Sequence, residues 1–199
     1  MITAEFCSSI FLTTIEEYHR LDQVDTACPV HKEISISDML YRKCWIDTVQ
    51  WHLEDMIRRP DLAPERFVEL KRQIDSSNQR RTDLVEKIDD WFMSAFKEII
   101  PKENARMNTE TPAWAIDRLS ILLLKIFHMK EQTERTDASR EHIQLCRDKL
   151  NILLEQKTDL SFSLNALIDE LQSGQAQMKV YRQMKMYNDP TTNPQLYNQ

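Results

Sequence analysis

Glycine is almost absent from this chain: Gly174 is the single glycine among 199 residues. Average proteins contain about 7% glycine. Tight hairpin turns, phosphate-binding loops, the dinucleotide-binding fingerprint and the nucleophile elbow all place glycines in special backbone positions. A chain with one glycine is therefore not expected to contain any of these structures. Its many Leu, Ile, Lys, Glu, Gln and Arg residues are good helix formers, so we predict an all-α fold.

The longest interruption of an apolar pattern lies in the stretch from Pro64 to Pro101, which we predict to be helix three. Apolar residues recur there at alternating steps of three and four, as expected for a helix packed along one stripe. The two steps that should be apolar but are not fall at Ser77 and Arg81. Asn78 lies at the edge of the same stripe and Asp75 just outside it. A polar segment in the middle of a long helix must meet water, a partner group or a ligand.

Helix two is predicted from Ser37, as the N-cap, to Arg59. Beside its apolar stripe runs a second stripe at helical spacing that mixes aromatic, hydroxyl, imidazole and charged side chains. Its members are Tyr41, Trp45, Thr48, His52, Asp55 and Arg59. This flank either pairs with a neighbouring helix or faces a ligand.

Only a short link, Pro60 to Pro64, joins helices two and three, which predicts an antiparallel hairpin. Counting back from the link puts the mixed flank of helix two at the height of the polar segment of helix three. We therefore predict one buried polar site between the two helices. Its candidate residues are Tyr41, Trp45, Thr48, His52, Asp55, Asp75, Asn78 and Arg81.

The remaining chain predicts three more helices, giving an elongated antiparallel bundle of about five helices with a long third and fifth. Helix one covers Thr3 to Leu21, and helix four runs from the N-cap Thr111 to about Thr133, apolar on nearly every side and therefore central. Helix five is predicted from Ser139 to Met186 as a heptad seam, with Gly174 as a point where it could break. Residues 1–187 are expected to form one domain and 188–199 a disordered tail.

Composition limits the partners. The net charge is −6 and basic residues form no aromatic-rich face, so no nucleic-acid partner is predicted. No apolar run reaches the roughly 20 residues that span a membrane, and no signal peptide is recognisable, which predicts a cytoplasmic protein without membrane contact. The cysteines have no metal-ligand spacing and Glu16–His19 has no second Glu-x-x-His, so no metal site is predicted from these residues. The sequence leaves the cofactor unknown.

Two segments carry a resemblance to a known family. Trp51-His52-Leu53-Glu54-Asp55 with Arg58-Arg59-Pro60-Asp61, and Lys71 to Glu86, are similar to an uncharacterised bacterial family of all-helical domains of unknown function. The family motif has Asn where this chain has Thr82. The resemblance implies a bacterial, all-helical, single-domain protein of about this length, and it implies no activity.

Two kinds of function fit these patterns. In the first, the chain is a binding or assembly protein whose polar site fixes helix register, with the end of helix five packed on a partner protein or a second copy. In the second, it is an enzyme acting on a small anionic substrate. His52 would then serve as acid or base beside Asp55 or Asp75, with Arg81 holding the anion, or Asp55, Asp75 and Asn78 would bind a divalent metal.

Overall fold

The computed structural model describes residues 2–184, 186 and 189–197. Its elements in chain order are α1 (Ala4–Leu21), α2 (Ile36–Met56), α3 (Pro64–Ala95), β1 (Arg106–Asn108), α4 (Pro112–Glu134), α5 (Arg140–Gln172), β2 (Ala176–Met178) and α6 (Pro194–Tyr197). The predicted all-α fold is confirmed, as are a long third helix of 32 residues and a long fifth helix of 33.

Helix starts follow local capping chemistry. The Thr111 hydroxyl caps α4 by accepting from the Trp114 backbone N–H, with Pro112 at the first helical position, as predicted. For α2 the prediction was wrong by two residues. Ser35 is the N-cap there, because its hydroxyl and the Asp38 carboxylate form a reciprocal capping box.

Helix ends differ more from the predictions. The third helix stops at Ala95 rather than Pro101, and the fifth stops at Gln172 rather than Met186. Gly174 ends the fifth helix in the left-handed region, at φ +69°. Its N–H donates to the Leu171 carbonyl and the Gln175 N–H donates to the Glu170 carbonyl, which is the Schellman pattern of helix termination.

The chain directly after this turn forms one strand of a short parallel strand pair, which was not predicted from the sequence. Arg106, Met107 and Asn108 lie opposite Ala176, Gln177 and Met178 in register. Next to the pair, the Lys102 N–H donates to the Gly174 carbonyl over 2.9 Å. The two strands thus join the chain before α4 to the chain after α5.

The main core lies where α1 to α5 meet. Fully buried members include Phe11 of α1, Leu40 of α2, Ile88 of α3, Leu123 of α4 and Leu164 of α5. α4 is the central helix, as predicted, with ten buried residues. α5 buries four of its 33 residues, so it packs on the others along one side.

Two further expectations concern the chain ends and the membrane. Among the described residues, no helix is long and apolar enough to cross a membrane. The division into a domain of residues 1–187 and a disordered tail of 188–199 stays a prediction, and residues 1, 185, 187, 188, 198 and 199 lie outside the described part. Within the predicted tail, Pro194–Tyr197 forms one short helix.

Candidate functional site

Helices α2 and α3 meet at the polar segment of α3. The Gln50 amide donates to the Asn78 side-chain oxygen over 2.8 Å, and one turn further towards the link, Leu53 packs with Leu70 and Ile74. The helices are therefore antiparallel. Ser77, one of the two polar residues on the apolar stripe, is completely buried. Asn78 faces α2 and fixes the side-chain amide of Gln50.

A buried charge cluster lies behind this contact. The Lys43 ammonium, fully buried, lies 2.5 Å from Oδ2 of Asp47 and 2.9 Å from Oδ1 of Asp117. The Ser120 hydroxyl donates to the same Asp47 oxygen over 2.6 Å. Arg81 approaches from α3, with its Nε 4.0 Å from Asp117. Three helices thus each contribute charge to one site in the core, and we call these five residues the charge cluster.

The protonation of the charge cluster follows from burial and from the opposing charges. Burial by itself lowers the pKa of Lys43, but the carboxylates of Asp47 and Asp117 outweigh burial and raise the pKa above its usual value. The ammonium is therefore charged in the folded protein. Burial raises the pKa of Asp47 against the attraction of Lys43, and the nearby carboxylate of Asp117 raises it further.

A pocket of about 300 Å³ opens beside the charge cluster, between α2, α3 and α4. Its lining residues are Asp47, Gln50, Trp51, Glu54, Asp55, Arg58, Arg81, Ile121 and Leu124. Two buried acceptor atoms on this lining, Oδ1 of Asp47 and Oε1 of Gln50, have no hydrogen-bond partner within the described residues. Two lining residues therefore carry unused buried acceptors, and two others, Arg58 and Arg81, carry guanidinium groups.

The upper part of the helix-two flank turns away from this pocket, towards α1. The Tyr41 hydroxyl donates to Glu17 over 2.5 Å, and burial, followed by this carboxylate, raises the pKa of Tyr41. Trp45 is buried with its ring edge-on to Tyr18, at 5.2 Å between centroids. The Thr48 hydroxyl donates to the carbonyl four residues before it in the same helix. These three residues serve helix packing in the structure.

His52 also faces α1 and joins a histidine cluster, which we define as His19, His52 and His128. The Nε2 atoms of His52 and His19 lie 3.2 Å apart, and one nitrogen from each of the three rings lies within 4.8 Å of the others. Burial, and then the neighbouring His19, lower the pKa of His52 below its usual value. Of the described residues, these three form the group that could hold a metal ion.

The two remaining candidates lie further out. Asp55 is exposed and lines both the pocket and a neighbouring groove of about 580 Å³ between α2, α4 and α5, which His128 also lines. Asp75 is paired with Lys71 on the outer side of α3. Of the eight candidates, Asp55 and Arg81 line the pocket, and Asn78 bonds to the lining residue Gln50. The other five neither line the pocket nor bond to it through Gln50.

Sequence reasoning missed Lys43, Asp47 and Asp117, as well as His19 and His128 as partners of His52. The pair Lys43–Asp47 at i, i+4 has the spacing of an ordinary exposed ion pair. The position of the pair on the helix could have identified it as buried. Both residues share a helix face with Leu40, and apolar residues surround that helix. The histidines come from three helices, and no spacing along the chain connects them.

A family model described as a protein of unknown function, DUF4254, matches residues 37–180. The matched region runs from the first turn of α2 through β2. It contains every residue that lines the pocket and two of the three clustered histidines, whereas His19 lies before it. No curated protein and no solved structure matches the chain.

Proposed function

Since the chain belongs to this family of unknown function, we propose from its own residues that it is a binding protein for a small molecule, held in the pocket between α2, α3 and α4. The observation that carries the proposal is the pair of unpartnered acceptors, Asp47 Oδ1 and Gln50 Oε1. Leaving a buried acceptor without a donor costs about 1–3 kcal/mol. A ligand that donates hydrogen bonds to these atoms would remove that cost.

The pocket walls indicate the chemistry of such a ligand. Asp47 and Gln50 on the lining carry acceptors without a donor, which favours an ammonium, hydroxyl or amide N–H group on the ligand. Arg81 supports binding of an anion, because its contact with the Asp117 carboxylate is long, at 4.0 Å, while Arg58 pairs with Glu54 over 2.6 Å. A volume of about 300 Å³ lies at the small end of the range for ligand pockets. We therefore propose a small molecule with donors at one end and a carboxylate or phosphate at the other.

The test is a thermal-shift screen of amino acids, amino-sugar phosphates and phosphorylated polyols, followed by calorimetry of any hit. Arg81→Gln removes the anion-binding group. Arg80→Gln is the matched control, because Arg80 is exposed on the same helix and bonds to Ser76 away from the pocket. A true ligand raises the melting temperature of the native protein and of Arg80→Gln but not of Arg81→Gln. Equal shifts in all three proteins, or no shift of the native protein, would refute the proposal.

An enzyme acting on the same ligand is the second candidate. It is favoured by Asp55, whose exposed carboxylate lines both the pocket and the groove beside His128. Asp75, which the sequence offered as a partner of His52 or as a metal ligand, lies away from this pocket and is not part of the proposal. Turnover of a bound ligand that Asp55→Asn abolishes while binding persists would establish catalysis. Binding without turnover by the native protein would leave the binding role alone.

Contact with another chain through α5 also stays a prediction. It is supported by apolar side chains on the outer side of this helix, Leu145, Ile152 and Phe162, of which Phe162 is 76% exposed. Light scattering of the native protein against Phe162→Ser tests it, with Phe67→Ser on α3 as the control. A monomer in all three samples would contradict self-association.

A further inference from the structure

We propose that the histidine cluster binds one divalent transition-metal ion with the coordination chemistry of Zn²⁺, independently of the pocket ligand. Zinc takes imidazole nitrogens at about 2.0–2.1 Å in a tetrahedron, which places two bound nitrogens about 3.3 Å apart. The Nε2 atoms of His19 and His52 are 3.2 Å apart already. All three ligand nitrogens lie within 4.8 Å of one another, so side-chain adjustments of the order of 1 Å complete the site.

Hydrogen bonds at Nδ1 of two of the rings leave the Nε2 atoms of those rings available for the metal. Nδ1 of His19 bonds to the Ile15 carbonyl over 2.7 Å, and Nδ1 of His128 bonds to the Glu131 carboxylate over 2.8 Å. Metal-binding histidines almost always donate their second ring N–H to a carbonyl or carboxylate in this way, which fixes the tautomer and makes the other nitrogen a better ligand. In His19 and His128 the Nε2 atom is thereby left with a lone pair for the metal.

Burial supports the same assignment. Nε2 of His128 is buried and has no hydrogen-bond partner within the described residues. An imidazole nitrogen in that position is costly in the metal-free protein, and coordination would satisfy it. The rings of Tyr18 and Trp51 stack on His52 and His128, at 5.3 and 4.8 Å between centroids, and hold them in place.

A fourth ligand is within reach. Oδ1 of Asp22 lies 3.7 Å from Nε2 of His52. Asp22 ends α1 in the left-handed region, at φ +48°, with its N–H on the Tyr18 carbonyl, which places its side chain beside the cluster. Three imidazoles with either this carboxylate or a water molecule make a four-coordinate zinc site. Imidazole ligands also suit Co²⁺, Ni²⁺ and Cu²⁺, so Zn²⁺ and Co²⁺ serve as probes.

The experiment titrates chelator-treated protein with Zn²⁺ in competition with a chromophoric chelator. We expect one equivalent to bind to the native protein and the affinity to fall at least about 100-fold in His52→Gln and in His128→Gln. Glu131→Gln should weaken binding by about 10–100-fold, as outer-shell changes do. His31→Gln is the matched control, since His31 is exposed in the connection before α2. Circular dichroism establishes that each variant is folded.

Two results would overturn the proposal: no stoichiometric Zn²⁺ binding by the native protein, or affinity retained in both histidine variants. The second would mean that the metal binds elsewhere. Co²⁺ adds a measurement that needs no variant, because a tetrahedral site gives intense visible absorption and an octahedral aqueous ion gives weak absorption. Arg81→Gln should bind Zn²⁺ normally, so failure of the pocket proposal is distinguishable from failure of the metal proposal.

Discussion

Replacing Lys43 by Met tests whether the charge cluster holds the bundle together. The Met side chain fills a similar volume without charge, and it removes the ammonium from Asp47 and Asp117, two residues that are 6% and 5% exposed. Removing one partner of a buried ion pair costs about 3–5 kcal/mol, because the remaining charge stays buried and unpaired. Arg81 pairs with Asp117, at 4.0 Å, and not with Asp47, so it does not replace the ammonium at Asp47.

This cost is large for a protein of 199 residues. One kcal/mol lowers the melting temperature by about 2–4 °C at this size, so Lys43→Met should melt about 6–20 °C below the native protein. The difference in stability between Lys43→Met and the native protein should narrow as the pH falls, because protonation removes the unpaired negative charges of the variant. Thermal denaturation measures the first effect, and urea denaturation at several pH values measures the second, both followed by far-UV circular dichroism.

Lys71→Met is the matched control for this experiment. Lys71 and Asp75 form an i, i+4 pair of the same two residue types on α3, but their side chains are 55% and 45% exposed. Exposed pairs contribute about 0–1 kcal/mol. If Lys43→Met cost no more than Lys71→Met, the charge cluster would not be a stabilising feature of the core.

Three further predictions follow from separate features. Gly174→Ala should cost about 1–2 kcal/mol in urea denaturation, since φ is +69° and the new Cβ would lie 2.8 Å from the Ile100 carbonyl oxygen; Ser173→Ala should cost clearly less. Burial raises the pKa of Asp89, so the native protein is stabilised below the ordinary carboxyl pKa and loses that stability as the pH rises through the raised value. Asp89→Asn should therefore be more stable than the native protein at neutral pH, and the difference should vanish in acid. Zn²⁺ at 100 times its dissociation constant should add about 2.7 kcal/mol, a shift of about 5–11 °C, to the native protein and nothing to His128→Gln.

The helices could be predicted because their signals are local. Apolar periodicity and capping residues such as Thr111 lie within a few positions of the features they determine. α2 shows the limit of this reasoning. It contacts α1, α3 and α4, so its buried residues surround the helix and include Trp45 and Thr48, and a single apolar stripe did not describe them.

The site depended on contacts between distant segments. Lys43 and Asp117 are 74 residues apart, and nothing near Lys43 in the chain distinguishes a buried ammonium from an exposed one. His19, His52 and His128 come together because three separate helices pack side by side. The polar segment of α3 was recognisable from the sequence, whereas the direction in which each side chain of α2 points was not, because α2 has neighbours on several sides.

The strand pair β1–β2 bears on how this architecture can vary in length. Because Arg106–Asn108 and Ala176–Met178 run side by side, the chain enters and leaves the α4–α5 hairpin at one place. The far end of the hairpin, residues 135–139, is a connection distant from both strands along the chain. About seven residues, or two turns, added to each helix there would keep the same side chains facing each other. The hairpin could therefore be lengthened or shortened as an arm by matched insertions or deletions, while the strand pair keeps its base in place.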